Sequence, residues 1–286
     1  MCFNLNPMKK ILVTTDLSNN SKAGLFFAIQ LAAQNKYGLT FFYAYHILTP
    51  TAWDFLRIEA HEKEQKNIIQ QQLELFVEKL YTGLHINTIK AKCVIKQSIF
   101  PQSCIMEYAQ TNKFDFICIS TRGAGKLKRI IGTNTEHLIN HSQIPVIAVP
   151  YKYKPVPIKS ILYASDVVHF KKEIVKVVGF AKPLKATIEL LHLTSVLENS
   201  SQIKAIEHAV KKMATYHINI NLTNRNPNES LVTDIETAIK KRKPSMIIMF
   251  TDQNRNWFEK IFLSSKSAEY SFNAKVPLLV FNKSSE

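Results

Sequence analysis

The 286-residue sequence predicts an α/β fold: two tandem doubly wound domains, each an open five-stranded parallel sheet in the order 3-2-1-4-5 with helices on both faces. Three observations predict it. Apolar, strand-sized runs alternate with helical patterns along the whole chain, which implies parallel pairing through right-handed crossovers. The two halves open alike, with "KKILVTTDLS" at 9–18 and "IKSILYASDV" at 158–167, each an apolar strand ending in a small polar residue and an aspartate. They also close alike, with "IPVIAVP" at 144–150 and "VPLLVFN" at 276–282, a proline leading into an apolar run of the kind buried on both faces.

In the first half, apolar runs place strands at 10–16, 39–47, 87–97, 114–121 and 145–150. Helical patterns fall between them at 18–36, 51–83, 100–112 and 132–141. The long 51–83 segment is charged in its first part and gains an apolar stripe (Ile68, Ile69, Leu73, Leu75, Phe76, Leu80) only in its second. A lid, a partner-binding arm and a long surface helix all fit that pattern. "YKYKPVPIK", with two prolines and alternating lysines, suits an extended, exposed connector and sets the boundary near Pro155, dividing the chain into domains 1–151 and 158–286. The second half repeats the plan with strands at 160–165, 186–194, 217–222, 245–251 and 277–282 and helices near 169–181, 199–214, 229–241 and 265–273.

A hydrophobic share of 46% and a charged share of 21% are ordinary for a folded globular chain, and 7 Gly with 11 Pro leave little for low-complexity tracts. The longest apolar runs, such as "SMIIMF", are far shorter than the ~20 residues needed to cross a bilayer, so no membrane partner is expected. The lysines of "MCFNLNPMKKILV" follow the apolar part and no long h-region appears, so no signal peptide is read and a cytoplasmic location is expected. Cys2, Cys93, Cys104 and Cys118 form no C-x-x-C pair, which argues against disulfides and zinc. The net charge of +15 favours anionic partners in general, yet the lysines are scattered. The one cluster, "KKRK" at 240–243, reads as a helix end complementing the dipole, and a nucleic-acid partner is not expected.

The chemistry concentrates in "STRGAGKLKRIIGTNTE" at 120–136, between a strand and a helix. A Walker A loop would need glycine at Ser120 and a hydroxyl at Leu127, so this is not one. It reads either as a surface turn whose glycines supply positive φ, or as a loop whose N–H groups, with the start of the 132–141 helix, make an anion site. Ligands of an open parallel sheet bind at the carboxyl ends of the strands where the winding reverses, which would bring this loop and Asp16 to one crevice. Asp16 can equally cap the 18–36 helix, as can Ser18 or Asn19.

With "ILVTTDLS", the repeated five-stranded pattern and "GTNTEHLINHSQIPVIAV" in hand, the chain resembles the universal stress proteins of the UspA family, in the tandem two-domain form. The resemblance implies that Asp16 and the backbone at Thr14 contact adenosine and that Ala44 flanks the base. It implies that Ser120 and Gly123 stand for the first glycine pair, and Gly132 with Thr133 for the closing G-[ST]. The sequence departs from the family's G-x-x-G, nine residues, G-[ST] pattern in having Ser120 for the first glycine and eight residues between Gly123 and Gly132. Gly125 gives the loop the backbone freedom to absorb the missing residue. Arg122, Lys126, Lys128 and Arg129 add positive charge there.

The second half has no glycine in "FTDQNRNWFEKIFLSSKSAEYS", with Ser264 and Ser265 at the closing positions, so Asp166 is expected to serve as a helix cap or structural hydrogen-bonder. Trp257, Phe258, Ile261 and Phe262 are spaced to form an apolar packing face. His137 and His141 share a helix face, but a metal needs three or four convergent ligands and none is expected. No nucleophile elbow or Cys–His signature appears, so no dedicated catalysis is expected. What the resemblance implies is a regulatory stress-response protein that binds an adenine nucleotide, ATP, in its first domain, with Mg2+ only alongside the nucleotide. The second domain would complete an intramolecular pseudo-dimer, with a homodimer as a further assembly. The alternative is a nucleotide-free interaction module in which domains, or whole chains, pair through the final strands 145–150 and 277–282.

Overall fold

The structure, a computed structural model, describes residues 8–86, 91–121, 133–194, 204, 207, 208, 210, 216, 218–226, 228, 229, 231–251 and 276–283. The first half contains β1 (Lys10–Thr14), α1 (Lys22–Asn35), β2 (Gly38–Tyr45), α2 (Phe55–Gly83), β3 (Lys92–Gln97), α3 (Pro101–Thr111), β4 (Phe116–Thr121), α4 (Thr133–His141) and β5 (Val146–Pro150). The second contains β6 (Ser160–Ala164), α5 (Phe170–Leu184), β7 (Thr187–Thr194), β8 (Ile218–Asn224), α6 (Leu231–Arg242), β9 (Met246–Thr251) and β10 (Leu278–Asn282). Residues 204, 207, 208 and 210 are helical, in the expected 199–214 segment. The expected helix at 265–273, the apolar face from Trp257 to Phe262, and Ser264 and Ser265 lie outside the described residues.

Each half has the 3-2-1-4-5 strand order, and the two join into one ten-stranded sheet, β3-β2-β1-β4-β5-β10-β9-β6-β7-β8. All neighbours are parallel except at the seam, where β10 meets β5 antiparallel with Leu278, Leu279 and Val280 opposite Ala148, Ile147 and Val146. The two final strands therefore use their edges on each other, which closes them to the pairing of whole chains through 145–150 and 277–282.

Strand alternation divides the core between the two faces. On one face Ile11, Val13, Phe41, Cys118 and Ile147 pack beneath α1, α2 and α5; on the other Leu12, Phe42, Ile117, Val146 and Ala148 pack beneath α3, α4 and α6. The first of these cores is continuous across the seam. Phe116 of β4 meets Phe180 of α5 edge-on at 5.6 Å. The connector is docked rather than exposed at two of its residues. Tyr153 is buried, packs edge-on against Phe27 of α1 at 5.6 Å and accepts the Val156 amide at 3.2 Å; Ile158 is fully buried. Gln34 clamps Ile158 from both sides, accepting from its N–H at 2.9 Å and donating to its carbonyl at 3.1 Å. The apolar and aromatic members of "YKYKPVPIK" outweigh its lysines because α1 offers them a surface.

Local chemistry sets the helix ends. α2 begins at an Asp54 N-cap whose carboxylate accepts the Arg57 amide at 2.8 Å, and α3 begins with Pro101 in its first turn. α1 starts four residues later than the sequence pattern suggests, because a web of hydrogen bonds holds Thr15 to Ser21 in turns.

Candidate functional site at the carboxyl ends of β1, β2 and β4

Thr14 ends β1, and its hydroxyl donates to the Cys118 carbonyl of β4 at 3.3 Å. Thr15 follows; its Oγ1 accepts the Leu17 amide at 3.0 Å and lies 2.7 Å from the Ser21 hydroxyl, which donates to the Ser18 carbonyl at 2.8 Å. Asp16 is exposed at the tip. Its Oδ1 accepts both the amide (3.0 Å) and the hydroxyl (2.5 Å) of Ser18, an Asx-turn that fixes the carboxylate at the strand end. Leu17 takes φ 60°, a left-handed conformation uncommon for a branched side chain and held here by the hydrogen bonds on either side. Asp16 thus belongs to a rigid turn before α1. The residue preceding that helix is Ser21, whose own side chain does not cap it.

The cap comes from β4. Ser120 Oγ accepts the Gly24 amide, in the first turn of α1, at 2.6 Å and donates to the Ser21 carbonyl at 2.8 Å. One hydroxyl satisfies an orphan N–H of α1 from 96 residues away. Gly24 is what permits the approach: a Cβ there would stand 2.9 Å from Ser120 Oγ and 3.0 Å from Ser120 N. The Cys118 thiol completes the contact by donating to the Gly24 carbonyl at 3.4 Å.

Ser120 therefore points to the α1 face. Ala44, half-buried on β2, packs on the opposite face with the core beneath α3. Tyr43 lies on the α1 face near Asp16; burial, and secondarily the Asp16 charge, push its phenol up. Thr14, Asp16, Ala44 and Ser120 thus come together at one end of three adjacent strands. Thr133 is the first residue of α4, placing a helix start at the same end of the sheet. Gly123, Gly125 and Gly132, with Arg122, Lys126, Lys128 and Arg129, lie outside the described residues. On α4 the His137 and His141 rings are 4.4 Å apart, and burial together with the neighbouring His141 lowers the His137 pKa. Among the described residues no group of three or more candidate metal ligands converges.

The second half repeats the turn and alters its surroundings. Ser165 accepts the Val167 amide at 3.0 Å, Asp166 accepts the Val168 amide at 3.1 Å, and Val167 takes φ 59°. At the strand position matching Ser120 stands Phe250, stacked on Phe281 at 4.9 Å and edge-on to Tyr163 at 5.9 Å. Glu173 of α5 is buried and accepts from Tyr163 and from Ser165, the latter at 3.1 Å. Lys283 spans the opening, 2.7 Å from Asp166 Oδ2 and 3.8 Å from Glu173 Oε1. Among the described residues, the gap lined by Ala164, Ser165, Asp166, Glu173, Phe250 and Lys283 has no room for a water-sized body. Asp166 is a structural hydrogen-bonder, as the sequence suggests, and also an ion-pair partner. Sequence reasoning missed Ser120's partner Gly24, and it missed Glu173 and Lys283. A glycine at a core-facing helical position and a glutamate within the apolar stripe of 170–184 were the available signals.

An open sheet with a turn-held aspartate and a helix start at the carboxyl end of its middle strands is the ligand-crevice architecture of doubly wound proteins. The profile of the universal stress protein family matches residues 7–150, half of the 286-residue chain, and the chain belongs to that family of stress-response proteins. Over its full length it is similar to a universal stress protein from Archaeoglobus fulgidus DSM 4304, with 15% identity, 96% of this chain and 98% of that one covered, and a TM-score of 0.69. A putative universal stress protein from Pseudomonas aeruginosa UCBPP-PA14 has 14% identity, 96% and 94% coverage and a TM-score of 0.58. A universal stress protein solved in complex with cAMP has 20% identity, covers 49% of this chain and 96% of its own, and gives a TM-score of 0.36. No curated protein matches the chain. Among the described residues no helix is long and apolar enough to cross a membrane.

Proposed function

We propose that the first half binds an adenine nucleotide, ATP with Mg2+ accompanying it, and that the protein acts in the cytoplasm as a regulatory binder with no dedicated catalytic activity. In this reading Asp16 and the Thr14 backbone contact the adenosine, Ala44 flanks the base, and the main chain from Ser120 through Gly123, Gly125, Gly132 and Thr133 cradles the phosphates. The observation that carries it is the orientation of Ser120. A serine where the family has glycine would obstruct the phosphates if its side chain faced them. Here the hydroxyl is turned to α1 and makes two hydrogen bonds there, on the face opposite Ala44. The second half, with Phe250 and Lys283 across its opening, completes an intramolecular pseudo-dimer and takes no nucleotide.

Calorimetric titration of the full chain with MgATP tests the reading. One site per chain is expected, weakened about tenfold or more by Asp16→Ala, since a charge-assisted hydrogen bond contributes ~1.5–3 kcal/mol. Heat-free titration at millimolar nucleotide removes the proposal. The nucleotide-free interaction module has one observation in its favour: β5 and β10 pair and join the two halves into one sheet. It predicts unchanged thermal stability when ATP is added.

A further inference from the structure

We infer that four lysines gathered where the two halves meet, Lys9, Lys36, Lys159 and Lys185, form a docking surface for the phosphate backbone of a duplex nucleic acid. The inference goes beyond nucleotide binding and does not depend on it. In sequence these lysines are as scattered as the rest, and only the fold brings them together. They are two pairs of the internal repeat: Lys9 and Lys159 immediately precede β1 and β6, while Lys36 and Lys185 end α1 and α5 in the left-handed conformation, at φ 49° and 54°.

All four lie on one face of the sheet. Lys9 and Lys159 continue the alternation of Ile11 with Val13 and of Ile161 with Tyr163, residues packed beneath α1, α2 and α5, and Lys36 and Lys185 close two of those helices. A closed circuit of contacts joins them. The Lys9 carbonyl accepts the amide of Gly38, just beyond Lys36, at 2.9 Å, and the Lys159 carbonyl accepts the amide of Thr187, just beyond Lys185, at 2.9 Å. Gln34, in the last turn of α1 before Lys36, is bonded to Ile158, the neighbour of Lys159. The Lys9 ammonium lies 5.7 Å from the Phe116 ring centroid, and Phe116 in turn meets Phe180, in the α5 segment that leads to Lys185, at 5.6 Å. Lys36, Lys159 and Lys185 are exposed and Lys9 is half-buried.

The charge there is one-sided. α1 contains no acidic residue, and the one acid of α5, Glu173, is buried in its first turn. The acid beside the group is Asp115, which accepts the Lys10 amide at 2.8 Å; burial, and to a lesser extent the Asp115 charge, push the Tyr37 phenol up. Among the described residues none of the four lysines forms an ion pair. Their chemistry names the partner. Lysine meets phosphate as a point charge. The rings nearby, Tyr37, Phe116, Tyr153 and Phe180, are all buried and offer no platform for an unstacked base. The surface therefore suits a backbone whose bases stay paired and stacked, bound without reading its sequence.

Fluorescence anisotropy of a labelled ~20-base-pair DNA duplex titrated with the full chain, repeated from ~50 to ~200 mM salt, tests this. The logarithm of the association constant is expected to fall against the logarithm of salt with a slope of about −3.6, about −0.9 for each of the four phosphates neutralised. Lys36→Asn/Lys185→Asn removes two charges with a residue that tolerates the left-handed conformation; it should weaken binding about tenfold or more at the lowest salt and reduce the slope by about two. Lys159→Gln should reduce the slope by about one. Lys240→Gln/Lys241→Gln, which removes as much charge at the exposed end of α6, should leave affinity and slope as they are. Thermal melts check that each variant is folded. A duplex left unbound at the lowest salt, a Lys36/Lys185 variant that binds as wild type does, two double variants weakened alike, or retention on phosphatidylserine vesicles in place of the duplex would each overturn the inference.

Discussion

Replacing Lys283 by methionine probes the closed second half most directly. The lysine side chain is 10% exposed and lies between Asp166 (39% exposed) and Glu173 (4%). Methionine keeps the length and apolar stem and removes the ammonium. The Asp166 pair, screened by solvent, accounts for less than ~1 kcal/mol. Glu173 decides the outcome, because Oε1 is buried without a hydrogen-bond partner and Lys283 is the cation beside it. Removing one partner of a buried pair costs ~3–5 kcal/mol; the bonds that Oε2 keeps from Tyr163 and Ser165 place this case near ~3 kcal/mol. In a chain of this size that is a fall in Tm of about 6 °C. Adding Glu173→Gln removes the stranded charge, so the double variant should return to within ~1.5 kcal/mol of wild type. Urea denaturation of wild type, both single variants and the double variant gives the full cycle. A Lys283→Met loss below ~1 kcal/mol, or a double variant as unstable as the single one, refutes the reasoning.

Gly24→Ala should destabilise by ~1–2 kcal/mol despite alanine's better helix propensity, because the new Cβ would meet Ser120 Oγ at 2.9 Å and its backbone N at 3.0 Å; adding Ser120→Gly should recover part of the loss in denaturant melts. Gln34→Ala removes both hydrogen bonds to Ile158 and should cost ~1–2 kcal/mol, with faster hydrogen exchange at the Ile158 amide. The His137 pKa lies below its ordinary value, so the unfolded chain takes up that proton first as pH falls: its contribution is present above the unfolded pKa and is lost as pH falls towards the folded one. The fall in Tm between pH 7.5 and 5.5 should therefore shrink in His137→Asn. Burial pushes the Cys93 thiol up to about 11 and raises that of fully buried Cys118 further, so an alkylating agent at pH 8 should label Cys118 only after denaturant is added and Cys93 slowly before it.

The strands were the most legible part of the sequence. "ILVT", "FICIS", "VIAV", "MIIMF" and "LLVF" are apolar at consecutive positions because helices cover both faces, and each lies within a residue or two of its expected place. The strand-end aspartates were readable for the same reason, since a polar residue closing such a run must sit at the sheet margin. Helix starts were harder: residues 18–21 look helical in sequence, but Thr15 and Ser21 bond to each other and hold the chain in turns until Lys22. α5 runs on to Leu184, beyond the expected 181, carrying Pro183 in its last turn and stopping at left-handed Lys185. Ser120 with Gly24, and Lys283 with Asp166, were beyond local reading because partners 96 and 117 residues apart meet only through the sheet. The merging of two sheets into one follows the pairing of domains through the final strands 145–150 and 277–282 that the sequence offered as an alternative; its antiparallel register was not legible, because a final strand carries no mark of the direction in which it will meet its neighbour.

With β5 and β10 consumed by each other, the ladder of the described strands has two margins, β3 and β8. Neither invites another strand. β3 carries exposed Lys92 and Lys96, and β8 carries Asn219, Asn221 and Asn224, residues poorly suited to strand growth. The joining of β5 to β10 spends the two final strands on each other, so the ladder that keeps one half folded runs unbroken into the other.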